Sequence, residues 1–243
     1  MTTKVDLLSL LPNELEEYFL SIGEPKFRAK QVFSRLHKGE RVNDITNLSK
    51  ALRQRLSEET LDTLPEVEEK LVSKIDGTVK YLFRLHDGAC IESVFMRYKH
   101  GNSVCISTQS GCRMGCRFCA STLDGWERNL LPSEMLDQIY AITRYTGERV
   151  ANVVVMGTGE PMDNYDNLLR FLTLLTDKNG LHISQRNVTV STCGLVPRIR
   201  MLAKEHLQIT LALSLHATTD EKRKKLMPIA YKYSIDELMD ACK

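Results

Sequence analysis

Three cysteines, Cys112, Cys116 and Cys119, stand close together in the run Gly-Cys-Arg-Met-Gly-Cys-Arg-Phe-Cys at positions 111–119. Three thiolates on one loop can each bind one iron of a cubane 4Fe–4S cluster, which leaves the fourth iron open to a small molecule. The two glycines allow the backbone to curl around such a cluster without steric cost. Phe118, just before the last cysteine, can shield the cluster from water, which affects its potential.

A single zinc ion is the alternative occupant of this cysteine loop. Structural zinc normally takes four ligands, and either Cys105 or His100 could supply the fourth. An aromatic residue before the last cysteine and the motifs further along the chain favour the iron–sulfur cluster.

The composition is ordinary for a globular protein, with 42% hydrophobic and 26% charged residues in 243 positions. No apolar run is long enough to span a bilayer, and the first residues have no signal-peptide pattern. Seven cysteines, an odd number with three clustered, favour metal or redox chemistry in a reducing compartment over a disulfide framework. The net charge of +2 neither requires nor excludes a nucleic-acid partner.

Residues 1–62 predict a small helical domain, because apolar residues repeat there at helical spacing. The repeats are Leu15, Tyr18, Phe19, Ile22; Ala29, Val32, Phe33, Leu36; and Leu48, Ala51, Leu52, Leu56. The polar faces carry Lys26, Arg28, Lys30, Arg35, Lys38, Lys50, Arg53 and Arg55. Those faces are either solvated or turned toward nucleic-acid phosphate.

Residues 63–98 predict a three-stranded β-meander. Asp76-Gly77 and Asp87-Gly88 are strong hairpin signals between three strand-like runs. Cys90 and Glu92 fall on the last of these strands.

Residues 99–243 alternate between strand-like and helix-like runs, which predicts a parallel sheet and an α/β, partial (β/α) barrel. The expected strands are 104–109, 152–156, 188–192 and 209–215, and the expected helices are 133–144, 165–178, 196–205 and 235–243. In such barrels the chemistry collects at the carboxyl ends of the strands.

Polar and glycine-containing motifs stand where those strand ends are expected. Gly157-Thr-Gly-Glu-Pro161 follows the second strand, and the Glu160 carboxylate can accept hydrogen bonds from a ligand ammonium group. Ser191 closes the third strand, and Ser214-Leu-His216 closes the fourth. The charged run at 221–225 predicts a solvent-exposed helix start or a contact with RNA phosphate.

The cysteine run resembles the radical S-adenosylmethionine signature, C-x3-C-x-aromatic-C. Its flanks, Val104-Cys-Ile-Ser-Thr-Gln-Ser-Gly-Cys112 and positions 120–130, resemble the RlmN type of RNA adenine carbon-2 methyltransferase, to which the Cfr resistance enzymes are related. The resemblance implies a partial barrel of about six βα units, a 4Fe–4S cluster and S-adenosylmethionine. It implies as cofactor contacts Gly159, Glu160, Ser191, Ser214, Leu215 and His216.

The resemblance also implies a mechanism, in which one S-adenosylmethionine methylates a carrier cysteine and a second yields a deoxyadenosyl radical. That radical activates the carried methyl group, which adds to carbon-2 of adenine. Glu92 accepts the ring proton, and Cys105 releases the product through a transient disulfide with the carrier. The implied partners are 23S rRNA, tRNA and an electron donor such as flavodoxin or ferredoxin, for a monomeric cytoplasmic enzyme.

The family's carrier cysteine falls beyond residue 243, and neither Cys193 nor Cys242 matches its position. With four βα units where about six are expected, we expect a chain truncated at its carboxyl end that does not methylate RNA alone. Three alternatives stay open at this point: an iron–sulfur electron carrier, a radical enzyme with another substrate, and a zinc-bound RNA-binding module.

Overall fold

The computed structural model describes residues 4–243, so the first three positions of the predicted 1–62 domain lie outside it. The three helices expected in this region are confirmed. They are α1 (Pro12–Ser21), α2 (Phe27–Leu36) and α3 (Lys50–Glu59). Pro12 begins α1, Ser49 caps α3 through the Leu52 amide at 3.2 Å, and Gly23 follows α1 with φ +83°.

The apolar stripes of these helices meet in one core. Leu15, Phe19, Val32 and Leu56 are fully buried there. Ala51 is exposed, so the apolar face of α3 is narrower than its sequence spacing predicted. The division of the chain into domains stays a prediction.

The meander is confirmed as β1 (Glu66–Val72), β2 (Val79–Arg84) and β3 (Cys90–Met96), all antiparallel. Gly77 and Gly88, with φ +70° and +90°, make the two turns in a backbone conformation that favours glycine. The strand β4 (Asn102–Cys105) pairs with β3, so the meander continues into the rest of the sheet without a break.

The predicted first barrel strand, 104–109, is wrong in its extent. The strand β4 ends at Cys105, and the chain then leaves the sheet to form a separate hairpin of β5 (Gln109–Gly111) and β6 (Trp126–Asn129). The remaining strands are β7 (Val150–Val155), β8 (Val188–Thr192) and β9 (Thr210–Leu213). They extend the sheet in parallel with β4, in the order β1-β2-β3-β4-β7-β8-β9.

Helices follow the strands as predicted for βα units. They are α4 (Pro132–Thr146), α5 (Tyr165–Thr176), α6 (Val196–Lys204), α7 (Asp220–Leu226) and α8 (Ile235–Ala241). In the described part of the chain, no helix combines the length and apolar character needed to cross a membrane.

The two faces of the sheet differ in what covers them. On one face Phe95, Val104, Val153 and Val190 are fully buried in the same core as side chains of α4 and α5. Side chains alternate along a strand, so the residues between these ones lie on the opposite face. That face carries mostly half-buried and exposed side chains, and Glu92, Cys105 and Ser191 are among them.

Candidate functional site

The cysteine loop connects β5 to β6 and starts where β5 ends. The Cys112 amide donates to the Gly125 carbonyl at 2.9 Å, which closes the loop at its base. Gly111 has φ +70°, and a Cβ there would lie 1.9 Å from that same carbonyl oxygen. Gly115 also has a positive φ, +67°. The prediction that both glycines curl the loop is confirmed.

The three cysteine side chains can supply the thiolate ligands of an iron–sulfur cluster. Cys112 and Cys116 are 7% and 8% exposed, and Cys119 is half-buried. Burial and the neighbouring thiols raise the pKa of Cys116 to about 11, and burial raises the pKa of Cys112. Burial therefore favours the neutral form of the Cys112 and Cys116 thiols, and binding of iron would release their protons.

A single metal ion finds no ready-made site. Within residues 4–243, no three His, Cys, Asp or Glu side chains are grouped closely enough to hold one ion. His100 stacks on Tyr98 before β4 begins, whereas the cysteine loop lies beyond the other end of that strand. The zinc alternative with His100 as fourth ligand is therefore not supported.

An ion pair fixes the cysteine loop to the strand ends. The Arg113 guanidinium donates to both carboxylate oxygens of Asp163, at 2.7 Å each, and Gln109 donates to the same carboxylate at 2.9 Å. Arg113 also lies over the Trp126 ring, 4.8 Å from its centroid. Bidentate pairs of this kind fix orientation as well as contributing energy.

The Gly-Thr-Gly-Glu-Pro turn packs tightly against the chain that leads into the hairpin. The Thr158 carbonyl accepts from the Thr108 amide at 2.9 Å. A Cβ on Gly157 would lie 2.6 Å from Ser107 Oγ, and one on Gly159 would lie 2.6 Å from Gln109 Cβ. These glycines therefore serve close packing between two strand ends, and Gly159 as a cofactor contact stays a prediction.

Glu160 is 3% exposed and already holds two backbone amides. Its oxygens accept from Met162 at 3.1 Å and from Cys193 at 2.7 Å. Burial raises the pKa of this carboxyl group, while the amide donors oppose that rise. Each oxygen keeps a second lone pair, so the carboxylate can tie two loops together and still accept from a ligand.

The predicted contacts on β8 and after β9 lie at the carboxyl ends of those strands. Ser191 Oγ donates to the Val155 carbonyl at 3.0 Å, and the Ser214 amide donates to the Thr192 carbonyl at 2.9 Å. The expected strand through Leu215 is therefore too long, because β9 ends at Leu213.

His216 is the residue in this segment that reaches the cysteine loop. Its ring lies 4.4 Å from the Phe118 ring, and its φ of +55° is unusual for a residue with a side chain. Phe118 is 51% exposed, so His216 covers part of a ring that solvent still reaches.

Glu92 and Cys105 lie on the open face of the sheet. Val94 pairs with Cys105, and Glu92 is two residues from Val94, so alternation places Glu92 and Cys105 on one face. The exposed Glu92 carboxylate pairs with the Lys80 ammonium at 2.5 Å. Burial raises the pKa of the Cys105 thiol.

A cleft of about 510 Å³ connects Glu92 with the base of the cysteine loop. Its lining includes Cys90, Glu92, Gly111, Asp124, Glu127 and Thr158. Gly111 immediately precedes Cys112, so one opening is shared by the carboxylate and the loop.

All seven cysteines are free, and the structure gives no support to the expected disulfide. Cys193 is buried and packs with Cys116 and Met227. Burial, and then the nearby Glu160, raise the pKa of its thiol strongly. Cys242 is exposed just after α8.

The sequence analysis missed Arg223. It belongs to the charged run assigned to an exposed helix start, yet its side chain is fully buried beside the Cys193 turn. The one available signal was its position four residues before the apolar Met227, which places both on one side of α7.

Comparisons with known proteins agree with this geometry. The Radical SAM superfamily profile matches residues 106–243, and the profile of the ribosomal RNA large subunit methyltransferase N-terminal domain matches residues 5–61. A radical SAM methyltransferase from Sphaerobacter thermophilus superposes with a TM-score of 0.91 at 39% identity, over 98% of this chain and 71% of that one. The fold is thus that of a radical SAM protein.

Curated relatives identify the family within the radical SAM proteins. A probable dual-specificity RNA methyltransferase RlmN of Lachnospira eligens is 60% identical over 98% of this chain and 69% of that protein. Its counterpart in Lachnoclostridium phytofermentans is 55% identical over 100% of this chain and 68% of its own length. The chain therefore belongs to the RlmN family of radical SAM methyltransferases, and the predicted fold class and family are confirmed.

Proposed function

We propose that this chain binds a 4Fe–4S cluster and S-adenosylmethionine and acts in the methylation of carbon-2 of adenosine in 23S rRNA and tRNA. Its relatives are named as dual-specificity RNA methyltransferases, and both the N-terminal and the radical SAM profiles match. The main structural support for this proposal is the cleft that Glu92 shares with the base of the cysteine loop.

The three loop cysteines are the proposed cluster ligands. When bound, the cluster supplies the electron that cleaves S-adenosylmethionine, an electron that a carrier such as flavodoxin or ferredoxin delivers. Glu160 lies close enough to Cys112 and Cys116 to affect the pKa of both thiols, so its carboxylate is suited to orient an ammonium group beside the loop. Ser191, Ser214, Leu215 and His216 line the same strand ends and complete the proposed cofactor contacts.

Glu92 is the proposed acceptor of the ring proton. Adding carbon to an aromatic ring requires that a ring proton leave, and a carboxylate in the same cleft can take it. The Lys80 ammonium pairs with the Glu92 carboxylate at 2.5 Å and orients it on the open face of the sheet. Cys105 lies on the same face and is the proposed redox partner of the methyl-carrying cysteine.

The N-terminal helices are the proposed RNA-facing surface, although their charge is partly neutralised. Four of the eight basic residues named from the sequence form ion pairs with acidic neighbours: Lys26, Arg28, Arg35 and Arg55. Lys30, Lys38 and Lys50 are therefore the better candidates for phosphate contacts. RNA substrates support the proposed cytoplasmic location.

Cleavage of S-adenosylmethionine tests the cofactor part of the proposal. Protein reconstituted without oxygen is mixed with S-adenosylmethionine and dithionite, and 5′-deoxyadenosine is measured by chromatography. We expect release by the parent chain and strong loss in Glu160→Ala. Glu221→Ala, an exposed carboxylate on α7, is the matched control and should behave as the parent does. Cluster-loaded protein that neither binds nor cleaves S-adenosylmethionine would contradict the proposal.

RNA binding tests the substrate part separately. We expect a 23S rRNA fragment and tRNA to compete for the chain in a mobility-shift assay, with weaker binding in Lys30→Gln and Lys50→Gln. Lys178→Gln, which changes an exposed lysine after α5, provides the control. If Lys30→Gln and Lys50→Gln both bind RNA as tightly as the parent, the N-terminal helices are not the RNA-binding surface.

A further inference from the structure

Arg223 stands apart from the other basic residues of α7. Lys222 and Lys225 are exposed, whereas the Arg223 side chain is 0% exposed. The Arg223 amide donates to the Thr219 carbonyl and its carbonyl accepts from the Met227 amide, so Arg223 lies on the same side as the buried Met227.

The buried guanidinium is poorly satisfied by the protein. Its Nη2 donates to the Cys193 carbonyl at 2.6 Å, but Nε and Nη1 have no partner among the described residues. Burial lowers the pKa of Arg223, although a guanidinium remains charged in proteins. A buried charge with free donors is costly unless something else accepts its hydrogen bonds.

The helix α7 closes directly on the cysteine loop. The Arg117 amide donates to the Leu226 carbonyl at 2.9 Å, and Cys116, Cys193 and Met227 pack in one apolar cluster. Arg223 donates to the carbonyl of Cys193, and the Cys193 side chain packs against Cys116. The unpartnered donors therefore lie beside the turn that packs on a proposed cluster ligand.

The backbone around Arg223 is shaped to let it approach. Gly194 has φ +106°, and a Cβ there would lie 3.2 Å from Arg223 Nη2 and 2.6 Å from Leu238 Cδ2. The amide of Cys193 is held by Glu160 and its carbonyl by Arg223, so the same turn joins a buried carboxylate to a buried guanidinium.

We propose that Arg223 donates hydrogen bonds from Nε and Nη1 to sulfur of the bound iron–sulfur cluster, either the Cys116 thiolate or an inorganic sulfide, and raises its reduction potential. The inference rests on the cluster assignment in the proposed function. Three thiolates make the cluster negative, and a nearby positive charge lowers the energy of the added electron. Hydrogen bonds to cluster sulfur act in the same direction.

The test compares Arg223→Gln and Arg223→Lys with Lys225→Gln, which removes an exposed charge from the same helix. Each reconstituted protein is analysed for iron and sulfide, and its midpoint potential is measured by spectroscopic redox titration. We expect the midpoint potential of Arg223→Gln to be more negative than that of the parent by at least about 59 mV. This shift corresponds to a tenfold change in the equilibrium constant of the one-electron reduction. Arg223→Lys keeps the charge without the planar fork and should fall between Arg223→Gln and the parent. Lys225→Gln should match the parent.

A cluster-loaded Arg223→Gln whose potential equals that of the parent or of Lys225→Gln would overturn the inference. If the parent itself assembles no cluster, the proposed function fails first, and the two failures are thereby distinguishable.

Thermal unfolding of the metal-free proteins tests the inference with variants that do not retain a cluster. If Arg223 serves the cluster, metal-free Arg223→Met should unfold at the same or a higher temperature than the metal-free parent, because an unpaired buried charge has been removed. If metal-free Arg223→Met fails to fold, Arg223 is a structural donor to Cys193 and the inference is wrong.

Discussion

The two faces of the seven-stranded sheet divide stability from chemistry. On the covered face, Phe95, Val104 and Val153 are fully buried, and each side chain of this kind contributes roughly 1.5–3 kcal/mol by leaving water. On the open face, Glu92 is exposed, and Cys105 and Ser191 are half-buried. Because side chains alternate between the two faces of a strand, the covered side can position these groups without burying them fully.

Substitutions on the open side should therefore affect chemistry without affecting folding, and the largest such effect is expected at the cysteine loop. Cys116→Ala should abolish the brown chromophore and the bound iron, because a cluster ligand is lost. Cys105→Ala should retain about four irons and four sulfides per chain, as expected for a cubane. Iron and sulfide analysis after anaerobic reconstitution decides. Equal loss in both variants would show that Cys105 is a ligand.

On the covered face the largest effect should be on stability. Phe95→Ala should lower the free energy of unfolding by about 3–5 kcal/mol, because it leaves a cavity in a fully buried site. Val94→Ala, one residue away on the open face, is the matched control and should cost about 1 kcal/mol. Urea unfolding of the metal-free proteins measures both. Similar losses would contradict the division between the faces.

A buried carboxylate behind the covered face should make stability depend on pH. Asp137 of α4 accepts from Arg41 at 2.9 Å and Thr63 at 2.6 Å, and burial raises its pKa to about 6. A raised folded-state pKa stabilises the fold below the unfolded value near 4, and that contribution is lost as pH rises through 6. The loss is ~3 kcal/mol across this range.

Asp137→Asn should remove that pH dependence. The difference in unfolding free energy between parent and variant, measured in urea from pH 4 to pH 7, should therefore change with pH. A difference that stays constant would show that Asp137 keeps an ordinary pKa in the folded protein.

The smallest effect on stability is expected at Glu92. Its pair with Lys80 is exposed, and such pairs contribute about 0–1 kcal/mol. Glu92→Gln should therefore unfold almost as the parent does, while its cluster content and cleavage of S-adenosylmethionine stay unchanged. A loss of several kcal/mol would place Glu92 among the structural residues instead.

The local features of this protein follow directly from its sequence. Helical spacing identified α1 to α3, Asp-Gly pairs identified the meander turns, and the cysteine spacing identified the loop and the family, because each depends on residues close together in the chain. The strand ends were placed within a few residues, since glycine and serine motifs follow them.

The contacts between residues far apart in the chain could be seen only in the tertiary structure. The predicted strand 104–109 ends early at Cys105, and Gln109 pairs instead with Asn129 of β6, about twenty residues later in the chain. Gly159 meets Gln109, Glu160 meets the Cys193 amide, and Arg223 turns inward to the Cys193 carbonyl. Burial and hydrogen bonding of this kind depend on which segments the sheet brings together. A charged run that looks solvated along the chain can therefore hold a guanidinium that the fold encloses.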